Sequence, residues 1–279
     1  MRFVAPARAE VPAQRFRHPL FAGIADHVGW LGGAQWPSVA EIDAHCGGLH
    51  HAQRGHRLHF LPQSAELLAD GLHYETRIAE HGVIATREHN WHDLFNAAIW
   101  RAQPAIKSAI NHRQALDVAA LGTRQRSRRQ YALTHFDEAG AVLLLRDPAR
   151  LAAWDAHDWP ALFLGLGDED YAIAVIGHAL LEHALWPAHM LVARCLVMLA
   201  DAPRQSLPHA LAHFADRIAD GRALDDPQSL RPLPLAGLPG WHPRSAEEGF
   251  LRQAPCFRPL RAGRRYPGAA TAVVLKAEA

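Results

Sequence analysis

Apolar positions repeat at helical spacing most clearly just past residue 90. Trp91, Leu94, Phe95, Ala98 and Ile99 fall at i, i+3, i+4, i+7 and i+8, one apolar stripe of an amphipathic helix. Asn90 suits the N-cap, and Asp93 stands at the third helical position, where a carboxylate can reach back to the cap. His92 and Asn96, four residues apart, share an adjoining face. Pro104 opens a second helix that carries Ile106, Lys107 and Ile110 towards Gln114. Ser38, with Glu41 three residues on, predicts a capping box and a short helix to His45. Further helical segments are expected at 66–71, 148–154 and 207–219.

Alternating patterns predict strands. Residues 57–62 have strand character and stop at proline. Residues 74–78 alternate, Glu80-His81-Gly82 reads as a turn, and 83–87 returns as a second strand, making a first hairpin. A second hairpin is expected from 131–136, a turn over Asp137-Glu138-Ala139-Gly140, and 141–145. Residues 171–200 form the longest apolar run. They are interrupted by His178, Glu182, His183, Pro187, His189 and Arg194, which favours core helices over a membrane span. A central helix from about 171 to 186 would place His178, Glu182 and His189 on one stripe, with His183 about 140° from His178 and Pro187 kinking the helix before His189. From residue 226 onward proline is frequent, and 226–279 is expected to wrap the surface as irregular structure. The expected fold is thus α+β and mainly helical: one compact domain over 1–279, with two β-hairpins forming a small antiparallel sheet against a central buried helix.

Composition narrows the function classes. A hydrophobic fraction of 49% and a charged fraction of 20% are globular values. A net charge of +1 makes no global case for nucleic acid or an anionic membrane, so a nucleic-acid partner would need the arginines of 124–129 and 252–265 to share one face. Cys46, Cys195 and Cys256 are widely separated and read as reduced thiols, and no apolar leader precedes the first charges, which together predict a cytoplasmic protein. The chain contains none of the P-loop, dinucleotide-binding, nucleophile-elbow or H-E-x-x-H signatures. A hairpin followed by a histidine-bearing helix resembles the ββα-metal nucleases in order, but the near-neutral charge and the missing strand histidine oppose that reading.

Histidine is the outlier, at 20 residues, and it directs attention to possible metal or proton chemistry. His178 and Glu182, i and i+4 on one face, can hold a divalent ion such as zinc, manganese or iron, or can form a buried His–Glu hydrogen bond. His92 reads equally as a metal ligand or general base and as a hydrogen-bonded side chain, while Asp93 reads as a cap. Asp137 and Glu138 read first as turn carboxylates, with Asp137 able to join a site. Arg87, Arg124, Arg128 and Arg129 could make an anion-binding patch or a solvated face.

A resemblance then emerges. The Y-E-x-R-I of Tyr74 to Ile78, Thr86-Arg87, the N-W-H-D-L-F-N of Asn90 to Asn96, and the spacing of Pro104, Lys107 and Asn111 are similar to the domain-of-unknown-function family 3025. So are A-L-T-x-F-D-E-x-G from Ala132, G-H-A-L-L-E from Gly177, L-P-G-W from Leu238 and F-R-P from Phe257, so the resemblance covers nearly the whole chain. Gln130-Tyr131 departs from the Arg-Asp expected in relatives, and that pair is given no role. The resemblance implies a bacterial, single-domain, cytosolic protein and carries no activity with it. Two functional readings follow from the residues. One is a metal-assisted hydrolase on a small anionic substrate, with His92, His178 and Glu182 converging, Asp137 contributing and Arg87 holding the anion. The other is a non-catalytic binding or scaffolding protein in which the same groups form a buried polar network.

Overall fold

The computed structural model describes residues 3–271. After short 3-10 turns and the one-turn helix α1 (Val28–Leu31), the chain forms α2 (Val39–His45), β1 (His59–Pro62), α3 (Ala65–Leu68), α4 (Tyr74–His81) and β2 (Val83–Thr86). The helices α5 (Trp91–Ala102), α6 (Pro104–Leu121) and α7 (Arg128–Ala139) follow, and α7 runs directly into β3 (Gly140–Leu145). Then come α8 (Pro148–Asp155), α9 (Trp159–Phe163), β4 (Tyr171–Val175), α10 (His178–His183) and β5 (Val192–Leu199). The described residues end with α11 (Pro203–Ala219), β6 (Arg231–Pro234), α12 (Glu248–Gln253) and β7 (Ala270–Thr271).

β1 and β2 pair in parallel. The larger sheet runs β4-β3-β5-β6, with β7 on the far stretch of β5. β3 lies antiparallel to β4 and parallel to β5, and all six of its residues are buried, so it is the centre of the sheet. Its run of Ala141, Val142 and three leucines has no polar alternation because both faces are covered. The expected elements at Ser38, Asn90 and Pro104 form as read, the strand expected over 57–62 forms over His59–Pro62, and Ser38 and Glu41 make the capping box.

Neither expected hairpin forms. Residues 74–78 are helical: the His73 side chain accepts from the Glu75 backbone, and Gly82, at φ +68°, ends the helix as a left-handed cap instead of turning a hairpin. Residues 131–136 are helical too, because Ser127 and Gln130 make a capping box that starts α7 inside the basic connector. Asp137 and Glu138 therefore sit on the last turn of α7, not in a hairpin turn. Their placement there changes what they can reach.

The expected central helix divides. Its first part is β4 and its second is the six-residue α10, with Gly177 between them. A short, wholly apolar run does not distinguish a buried helix from a buried strand, and sheet pairing with β3 decides for strand here. His189 lies beyond α10, beside the rings of His183 and Phe3, so the three-residue stripe does not exist. The proline-rich stretch expected on the surface supplies β6 and the buried Leu233, Leu235 and Leu238.

One close approach sets the position of α10. A Cβ at Gly177 would lie 2.5 Å from Ala139 Cα and 2.6 Å from the Glu138 carbonyl oxygen, so the start of α10 abuts the end of α7 backbone to backbone. Backbone atoms cannot give way as a flexible side chain can. Gly177→Ala is expected to destabilise the fold by about 1–3 kcal/mol, as overpacking does, measured by urea denaturation.

Candidate metal centre

Three helix ends meet. The N-terminus of α5 brings His92, the C-terminus of α7 brings Asp137 and Glu138, and α10, packed on both, brings His178 and Glu182. Asn90 caps α5 by accepting from the Asp93 backbone at 3.1 Å, which sets the direction of the first turn. The Asp93 carboxylate faces back to Arg87, accepting from its backbone N–H at 2.6 Å and from its guanidinium at 3.0 and 2.7 Å.

The two imidazoles face each other edge to face, with His92 Nε2 and His178 Nε2 2.9 Å apart. Glu138 Oε2 lies 3.6 Å from His178 Nε2 and 3.9 Å from His92 Nε2. One ligand atom from each of these three residues falls within 4.8 Å of the others. On the opposite edge of its ring, His92 Nδ1 donates to Glu182 Oε2 at 3.1 Å. That bond selects the tautomer that leaves the Nε2 lone pair of a neutral His92 pointing at the cluster. His178 Nδ1 faces Asp137 Oδ2 at 3.9 Å, and the buried Lys107 ammonium bonds the other Asp137 oxygen at 2.5 Å.

Electrostatics separates the two histidines. Burial, with the charges of Lys107 and His92, pushes His178 down to about 3, against the pull of Asp137. Burial also acts downward on His92, but the hydrogen bond to Glu182 and the charges of Glu138 and Glu182 outweigh it and raise His92 above its ordinary value. Burial, reinforced by Asp137, raises Glu138. Asp137 stays below the usual carboxylate range despite its burial, because Lys107 is beside it. Of the two facing rings, His92 is therefore the one that favours a proton and His178 the one that favours the neutral form. A cation at this point would meet two imidazoles and a carboxylate.

His92, Asp137, Glu138 and His178 line a polar cleft of about 320 Å³ that also includes Tyr74, Glu75, Asn96 and Arg126. Glu75 is fastened by Asn111, whose Nδ2 donates to its carboxylate at 2.7 Å and to its carbonyl at 2.9 Å, while Asn111 Oδ1 pairs with the fully buried His51. Burial and the nearby Asp137 raise Glu75 to about 7.

Of the residues singled out in the sequence, His92, His178, Glu182 and Asp137 come together, and Arg87 lines the same cleft while engaged by Asp93. Glu182 sits behind His92 instead of beside the paired Nε2 atoms. The carboxylate on the Nε2 side is Glu138, which sequence reasoning treated as a turn residue; the Ser127–Gln130 capping box was the signal that would have placed it on a helix end. Glu75 was missed because a strand reading of 74–78 gives it no cleft to enter.

The model of one protein family matches residues 58–261 of the chain, well over half of it. The chain belongs to that family, described as protein of unknown function DUF3025. No curated protein and no solved structure matches it. The matched span of this DUF3025 protein contains every residue of the cluster, from Glu75 through Glu182. Among the described residues no helix is long and apolar enough to cross a membrane.

The raised Glu75 gives a signed pH effect. Folding favours its protonated form, so this contribution to stability is complete below 4.5 and is lost as pH rises towards 7. Relative to Glu75→Gln, the wild type should lose up to about 1.4 kcal/mol per pH unit across that window. Urea denaturation of both proteins at a series of pH values measures the divergence; parallel curves would show that Glu75 titrates normally.

Proposed function

We propose that this cleft is the active site of a metal-assisted hydrolase acting on a small anionic substrate. His92, His178 and Glu138 would hold a divalent ion such as zinc, manganese or iron. The observation that carries the reading is the convergence of two Nε2 atoms and one carboxylate oxygen within 4.8 Å, with the far edge of His92 bonded to Glu182. Two imidazoles and one carboxylate suit zinc or iron, and a carboxylate behind each ligating ring is the usual device for orienting it. In this reading Glu182 positions His92, and Asp137, neutralised by Lys107, faces His178. A bound divalent ion supplies Lewis acidity that brings the ionisation of water towards neutral pH. Glu75, raised to about 7, is suited to exchange a proton across the cleft. Arg87 contributes positive field at the rim, although Asp93 already takes much of its hydrogen-bonding capacity.

A structural reading of the same residues is favoured by one observation, the pairing of buried Lys107 with Asp137, which ties α6 to α7 whether or not a metal binds. Metal analysis separates the two. Protein purified without chelator and dialysed against zinc, manganese or iron should carry near-stoichiometric metal by mass spectrometry. His178→Ala should abolish it, and Glu182→Gln should weaken metal affinity about 10–100-fold without abolishing binding, as loss of a supporting carboxylate does. A wild type that takes up none of the three metals, with a His178→Ala variant that unfolds, would make the cluster a core strut and end the hydrolase reading.

A further inference from the structure

The cleft has two arginines, and their environments differ. Arg87 forms a two-point pair with Asp93. Arg126 has no carboxylate of a described residue within ion-pair distance; one Nη donates to Thr134 Oγ1 at 2.5 Å, and its guanidinium lies 5.2 Å from the centre of the Tyr131 ring. Its neighbours in sequence are engaged: Arg128 is paired with Asp226 and Arg129 with Asp225. Arg126 is thus held in place by a neutral oxygen and an aromatic face, with most of its N–H donors free. Guanidinium in that state is suited to capture of an oxyanion.

The floor of the cleft offers more unused polar groups. Asn96 is 9% exposed, and its Oδ1 is buried with no partner among the described residues. Its Nδ2 donates to the Tyr74 hydroxyl at 3.1 Å, which leaves the Tyr74 O–H proton available to another acceptor. A buried acceptor without a partner needs an explanation, and a ligand that bears a donor supplies one.

We propose that Arg126, with the Tyr74 hydroxyl, forms an oxyanion subsite in this cleft, and that the substrate carries a phosphate or carboxylate seated there, across from His92 and His178. The carboxylates lining the cleft do not oppose this assignment. Asp93 is paired with Arg87 and Asp137 with Lys107, Glu138 faces the two imidazoles, and the Glu75 carboxylate is held by the Asn111 amide. Arg126 is then the uncompensated cation at the entrance. The sequence-based expectation that Arg87 holds the anion is thereby revised to Arg126.

The inference deepens the hydrolase reading and relies on it only for what lies opposite the anion, because guanidinium capture needs no metal. The test is isothermal titration of inorganic phosphate, and separately of acetate, into the full-length protein with and without prior chelation, with metal content measured on the same samples. Saturable binding of at least one anion is expected, weakened tenfold or more in Arg126→Gln, less in Arg126→Lys, and detectably in Tyr74→Phe. Phosphate binding alone assigns a phosphate-bearing ligand, and acetate binding assigns a carboxylate; loss of either in Arg126→Gln supports the subsite. Equal binding by wild type and Arg126→Gln, or no saturable binding of either anion by wild type, overturns it. A protein without metal that binds phosphate through Arg126 would sink the metal centre and keep the subsite. A metal-loaded protein indifferent to Arg126→Gln would do the reverse.

Discussion

A buried lysine and a half-buried aspartate hold the site together. Lys107 is 4% exposed and Asp137 18%, and each would be costly to desolvate alone. Their contact locks the last turn of α7 against α6, with Lys107 also lying over the Trp100 ring. Asp137 then faces the inner edge of His178, and Glu138, the next residue, turns towards the paired imidazoles. The pair works on charge as well as on position. The ammonium beside Asp137 keeps that carboxylate ionised, and the same ammonium helps to keep His178 neutral.

The polar network continues away from the cleft through Glu75 and Asn111 to His51, so α4, α6 and the loop before β1 share one set of hydrogen bonds. Such a network is favourable only when its members are satisfied. Here the interior half is closed, and the half facing the cleft, at Asn96, Tyr74 and Arg126, has capacity left over. That asymmetry separates a structural network from one that can receive a ligand.

Much of the helical framework was legible because its signals are local. The stripe from Trp91 to Ile99, the Asn90 cap and Pro104 each act within a few residues, and each formed as read. The two hairpins were misread for a related reason. Five or six alternating residues fit a strand, but the caps at His73 and Ser127 and the stop at Gly82 favour helix. Gly140 looked like a turn residue because glycine commonly is one. In the fold it is the point where α7 becomes β3 without a turn, and a Cβ there would strike the Phe136 ring and carbonyl.

By itself the sequence determined which residues carry ionisable groups into apolar surroundings, since burying such groups is expensive and their positions stand out: His92, His178 and Glu182 were identifiable that way, whereas Asp137 was read first as a turn carboxylate. Only the tertiary structure decided their arrangement. Glu182 lies behind His92 and Glu138 beside its Nε2, Asp93 occupies Arg87, and Arg126 is left free. The reason is geometric. Periodicity specifies a residue's azimuth on its own helix, whereas which atom of a side chain meets which partner depends on how α10 docks on α7 at Gly177 and on α5 beside it.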